Sequence, residues 1–143
     1  MIDKETGEIK FPNWDVSLSR EIMREWFLKS SLAKGATIQV KNEPYCSWKL
    51  IPTKWEDNKW WTVIVYFEGE RLFQVILAAS DTETEVGWEH WSEESERHLK
   101  SYYTLVLGQL LGSSGIKPHK FRWGSAEAGY DERSGSSFIA IRY

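Results

Sequence analysis

A chain of 143 residues, 41% hydrophobic and 27% charged, has the size and balance of one folded domain spanning residues 1–143, with no disordered tail expected. The single cysteine, Cys46, excludes an internal disulfide and a thiolate zinc site, and it reads as a small buried apolar residue. No apolar run approaches the roughly 20 residues that span a bilayer, and the N-terminus lacks a signal-like segment, so a cytoplasmic protein with no membrane partner is expected.

The net charge of −3 conceals a segregation. Residues 1–80 hold 11 basic and 11 acidic side chains, residues 81–96 hold 7 acidic and no basic ones, and residues 97–143 hold 7 basic against 3 acidic. The acidic run is Asp81, Glu83, Glu85, Glu89, Glu93, Glu94 and Glu96, and it encloses Trp88 and Trp91. Such a run creates a field that attracts a basic partner, although a solvated loop entering a helix has the same composition. Nine tryptophans are many for this length. Tryptophan is enriched at binding surfaces because it offers a large rigid contact area, yet for any single one the packed core is the favoured place.

Taken in order, Thr6 to Trp14 reads as an edge strand or extended arm that Pro12 keeps out of a sheet centre. Ser17 or Ser19 then caps a helix running to about Ala33, with Leu18, Ile22, Met23, Trp26 and Phe27 as its apolar stripe and Gly35 as its left-handed end. Two short strands follow, at Thr37 to Val40 and Ser47 to Ile51. Trp60 to Ala79 is the strongest strand signal: two apolar, β-branched and aromatic runs flank Glu68-Gly69-Glu70. A three-residue loop pairing Phe67 with Arg71 puts Trp61, Val63, Val65 and Phe67 on one face with Phe73, Val75, Leu77 and Ala79. Ser92 caps the clearest helix, whose Leu99, Tyr102, Tyr103, Val106, Leu107, Leu110 and Leu111 keep a helical period until Gly112. Extended chain resumes from Lys120, and Ser137 to Tyr143 is a closing strand whose removal should unfold the domain. The fold class expected is α+β, an antiparallel meander with two helices in the order (β)-α-ββββ-α-ββ.

Local chemistry is sparse. Glu94 and His98 share a helix face and His90 lies nearby, but no zinc-type spacing exists, so no metal and no cofactor is expected. Neither a nucleophile elbow nor a phosphate-binding glycine loop is present, and catalytic residues are expected to be none. Arg97, Lys100, Lys117, Lys120 and Arg122 beside Phe121 and Trp123 make only a modest basic patch, which an isoelectric point near 5.7 argues against as a nucleic-acid site.

The segments GEIKFPNW, FLKSSLAKGA, WEHWSEESE and FRWG…YD…SGSSFIAIRY together resemble a family of small uncharacterised bacterial proteins of similar length. That resemblance implies a shared α+β fold and a bacterial, cytosolic setting; it carries no activity or site residues. The function expected from the residues is a non-enzymatic protein-binding module of immunity or inhibitor type, meeting a basic protein through Glu85, Trp88, Glu89, Trp91, Glu93 and Glu94. A small-ligand or carbohydrate binder using exposed tryptophan is the alternative, and an enzyme without a local motif the third.

Overall fold

In the computed structural model, which describes residues 1–83, 92–112 and 118–143, backbone pairing rather than helical periodicity governs the first segment. The Ile9 N–H donates to the Leu18 carbonyl at 2.7 Å and the Leu18 N–H donates back at 3.0 Å, while Ile2 bridges Ile9. Residues 2–18 thus fold into an irregular arm that buries Ile2, Ile9, Phe11 and Leu18. The helix expected from Ser17 or Ser19 to Ala33 is therefore corrected: α1 spans Arg24–Lys29, with a 3-10 turn at Ser31–Ala33. Its earlier start is precluded because Leu18 is paired with Ile9, Met23 bridges Arg71, and the Arg24 N–H donates to the Glu70 carbonyl at 3.0 Å. Within α1 only Phe27 is buried, leaving Met23 and Trp26 exposed. Gly35 does adopt the left-handed conformation, with φ 73°, after the 3-10 turn.

The strands β1 (Thr37–Asn42), β2 (Tyr45–Lys49), β4 (Trp60–Glu68) and β5 (Arg71–Ser80) lie side by side and antiparallel. Between them, β3 (Thr53–Lys54) is a two-residue addition to β4. The hairpin turn differs from the expected three-residue loop: Glu68 pairs with Arg71, so Gly69 and Glu70 make a two-residue turn. Gly69 has φ 60°, the positive value a primed turn requires at that position. A bulge then restores the matching of faces. Tyr66 pairs with Gln74 and Phe67 with Leu72, so Phe73 is left over and Leu72 takes its expected place beside Val75, Leu77 and Ala79. Phe73 packs instead against Tyr45 and Tyr66.

The second half adds α2 (Glu93–Leu111), β6 (His119–Phe121), β7 (Gly124–Asp131) and β8 (Ser136–Arg142). As expected, the Ser92 hydroxyl accepts from the Ser95 N–H at 3.0 Å, and Gly112 closes the helix at φ 66°. Its face of Tyr103, Val106, Leu107 and Leu111 is buried. The Glu96 carboxylate accepts the Ser137 N–H at 2.7 Å, and the Ser137 hydroxyl donates to the Glu96 carbonyl, which ties α2 to β8. Because β8 inserts between β5 and β7, the sheet order is β1-β2-β4-β5-β8-β7-β6, all antiparallel, with β3 off the path. The architecture is α+β.

Both helices cover one face of this sheet. Phe27 of α1 lies on Trp48 and Phe67, and Tyr103 of α2 lies on Trp61 with its phenol oxygen accepting the Ala79 N–H at 2.8 Å. Burial pushes that phenol up to about 12. The opposite face, carrying Trp60, Ile64, Tyr66, Phe73, Gln74 and Ile76, is half-buried and lies away from both helices.

Candidate functional site

Of the residues expected to form the acidic recognition surface, Glu85, Trp88, Glu89 and Trp91 lie outside the described residues. Glu93 and Glu94 stand in the first turn of α2 and are exposed. Glu93 accepts Arg97 at 2.6 Å and Glu94 is 3.9 Å from His98. Asp81 accepts Lys59 at 2.7 Å, a bond that lowers its carboxyl below the usual range. Glu96 is occupied with Ser137. Neighbouring cations and backbone donors thus answer much of the described part of the run.

The other sequence candidates separate in space. Among the described residues no group of His, Cys, Asp and Glu is arranged to hold a metal ion. Phe121 and Trp123 stack on each other at 5.0 Å and 7°, and the buried Trp123 indole donates to the Lys4 carbonyl, so this pair does not offer two free faces to nucleic-acid bases. Cys46 is buried, with its sulfur 3.5 Å from both Arg24 Nη1 and Glu43 Oε1. Trp55, Trp61 and Trp123 are core residues. Cavities of about 430 Å³ beside Trp123 and about 440 Å³ beside Trp55 therefore have tryptophans in their walls, but not the exposed rings that a carbohydrate platform uses.

Exposed large apolar side chains fall mostly on α1, the β1–β2 hairpin and the segment just after it, on both faces of that end of the sheet. Met23, Trp26 and Leu28 on or next to α1, Ile38 and Val40 on β1, Tyr45 on β2 and Ile51 just after it are all 43% to 55% exposed. Beyond these seven, the only other large apolar side chains exposed among the described residues are Met1 and Leu105. Scattered exposed apolar residues are ordinary, whereas a concentration of them marks an interaction surface.

Specific packing holds this surface in place. Phe27 anchors α1 over β2 and β4, which turns Trp26 and Leu28 away from the core. Arg24 clamps the β1–β2 turn through Glu43 at 3.0 Å and reaches Glu70 at 3.6 Å, and the bond to Arg24 lowers the Glu43 carboxyl below its ordinary range. Ile51 closes on the turn leading into β1, where a Cβ added at Gly35 would stand 2.4 Å from its Cδ1. A cavity of about 230 Å³ opens beside Ile51, walled by Trp14, Leu32, Lys34 and Leu50.

At the centre of the surface, β1 is exposed along all six residues and forms one end of the sheet. An end strand presents a row of backbone N–H and C=O groups with no strand beside them. Its two sides differ. Val40 is registered with Ser47 and Tyr66 on the open face, where Tyr45, Phe73 and Tyr66 continue the aromatic surface at ring separations of 6.2 and 6.3 Å. Lys41 is registered with Cys46 and Phe67 on the helix-covered face. Ser47 carries the one buried side-chain oxygen without a hydrogen-bond partner among the described residues.

Sequence reasoning missed this site because it assigned Met23 and Trp26 to a buried stripe and left the β1 edge unplaced. The signal available was the density of apolar residues in Met23–Leu28 and Ile38–Val40, more than one short helix and one end strand can bury. No helix among the described residues is long and apolar enough to cross a membrane. Comparison with family models, curated proteins and solved structures finds no match to the chain.

Proposed function

We propose that this chain is a non-enzymatic protein-binding module, of the immunity or inhibitor kind, that meets its partner with the apolar surface around β1. The observation supporting this reading is that seven of the nine exposed large apolar side chains among the described residues, Met23, Trp26, Leu28, Ile38, Val40, Tyr45 and Ile51, belong to α1, the β1–β2 hairpin and their flanks, at the end of the sheet that β1 forms. Tryptophan, tyrosine and methionine are the residue types enriched in the cores of protein interfaces, and an unpaired strand adds directional hydrogen bonds. A second reading retains the acidic start of α2: Glu93 and Glu94 project at its positive end, where they would steer a basic partner without anchoring it.

Affinity capture from an extract of the native host separates the two. Val40→Asp alters an exposed side chain and is expected to shift stability by no more than about 0.5 kcal/mol. It should nonetheless weaken capture of the specific partner by about tenfold or more, as a charge placed in an apolar contact does. Glu93→Gln with Glu94→Gln should leave capture at physiological salt nearly unchanged. Undiminished capture by Val40→Asp, with loss in the glutamine pair, would transfer the function to the acidic surface.

A further inference from the structure

We infer that Trp55, Trp61 and Tyr102 form a relay that carries oxidising equivalents out of the core, so that Tyr102 is the residue on which one-electron oxidation of the buried tryptophans comes to rest. This is independent of the protein-binding reading above. The chain of rings is continuous: Trp55 meets Trp61 at 5.1 Å, and Trp61 meets Tyr103 at 5.9 Å and Tyr102 at 6.4 Å. Indole and phenol are the side-chain rings that most readily give up one electron, and neighbouring rings exchange it without breaking a carbon bond. The entrance is the cavity of about 440 Å³ that Trp55 lines together with Glu56 and Asp57, where a small oxidising radical reaches the indole. Trp61 has no exposed surface and is oxidised only through such a neighbour.

Proton acceptors then select between the two tyrosines. The Tyr102 hydroxyl donates to Asp57 Oδ2 at 2.5 Å, within the reach that proton transfer to a base requires. The Tyr103 oxygen accepts the Ala79 N–H at 2.8 Å, and no described residue accepts its proton. Burial and the Asp57 carboxylate hold the Tyr102 phenol above its ordinary range, so it keeps the proton that has to leave. Lys59 Nζ lies 5.4 Å from the centre of the Tyr102 ring, and a cation there disfavours positive charge on the phenol. Electron and proton therefore leave together. One electron passes from Tyr102 to the Trp61 radical cation, while the Tyr102 O–H bond breaks and an O–H bond forms on Asp57. The products are neutral Trp61, a neutral tyrosyl radical and a protonated Asp57; the radical that began the sequence is reduced to its anion. Trp61, on which the sheet and α2 pack, is restored, and the lesion moves to a half-buried residue.

The test uses the full chain in a Trp26→Phe background, which removes the exposed indole, and azide radicals made by pulse radiolysis. Each radical takes one electron and leaves as azide ion. Transient absorption follows the tryptophan and tyrosyl radicals, peptide mass spectrometry locates the stable products, and circular dichroism checks the fold of every variant. Expected is a tryptophan radical that decays as a tyrosyl radical grows, with products on Tyr102. Tyr102→Phe keeps the ring but should abolish that growth and move the products to Trp55 and Trp61; Tyr103→Phe should leave the growth unchanged. Asp57 has φ 55°, a left-handed conformation that Asn also tolerates, so Asp57→Asn keeps the turn and a hydrogen-bond acceptor while removing the base. It should slow the conversion by about tenfold or more. Absence of tyrosyl growth, growth undiminished in Tyr102→Phe, or equal loss in Tyr103→Phe overturns the inference. So does an unchanged rate in Asp57→Asn, which would give the proton to solvent, or in Trp61→Phe, which would take Trp61 out of the path.

Discussion

Replacing Trp61 with Ala is expected to lower the unfolding free energy by about 3–5 kcal/mol, the range for truncating a fully buried aromatic residue. Trp61 has no exposed surface, and its ring meets Trp55 at 5.1 Å, Tyr103 at 5.9 Å and Tyr102 at 6.4 Å. Its indole N–H donates to the Glu56 carbonyl at 3.1 Å, so truncation also takes the hydrogen bond that holds the turn before β4. The loss therefore has two parts, a void between the sheet and α2 and a carbonyl without its donor. Denaturant melts of Trp61→Ala and of Trp26→Ala check this directly. The exposed Trp26 should change stability by no more than about 0.5 kcal/mol. Equal effects at the two positions would contradict the division between core and surface tryptophans.

Removing residues 138–143 is expected to leave no cooperatively folded protein. Ile139 and Ile141 are fully buried, and losing each large core side chain costs about 2–5 kcal/mol. β8 is also hydrogen-bonded on both sides, to β5 and to β7, so its removal leaves β6 and β7 without their link to the rest of the sheet. Those combined losses meet or exceed the roughly 5–15 kcal/mol that ordinarily separates folded from unfolded states. Circular dichroism and a thermal melt of the truncated chain measure the outcome. A soluble truncation with an unchanged cooperative transition would mean that β8 is dispensable.

The elements read correctly from sequence are those whose signals are local. α2 carries its own start at Ser92, its own end at Gly112 and a continuous apolar period between them. The central hairpin likewise announces itself through alternation, and Trp61, Val63 and Val65 share a sheet face with Val75, Leu77 and Ala79 as expected, although each pairs two residues further along β5 than the expected loop would place it. What escaped depends on residues distant along the chain. Nothing local to Leu18 says that Ile9 will take its backbone bonds and deny it a helix. Phe73 alternates perfectly with Val75, and only the pairing with β4 turns it to the other face. The same holds for the candidate site. Val40 looks like any strand residue, and is exposed on an end strand only because the topology puts β1 at the end of the sheet while drawing the last strand, β8, into its middle. The acidic run was legible as charge, but its pairing of Asp81 with Lys59 and Glu96 with Ser137 was not.

The most direct measurement of the central claim is an amide hydrogen-exchange footprint of the chain bound to its captured partner, compared with the free chain. The account predicts protection concentrated in β1, at residues 37–42, with lesser protection along α1, and little change in α2. Protection confined to the start of α2, with β1 exchanging as fast in the complex as in the free chain, would contradict it.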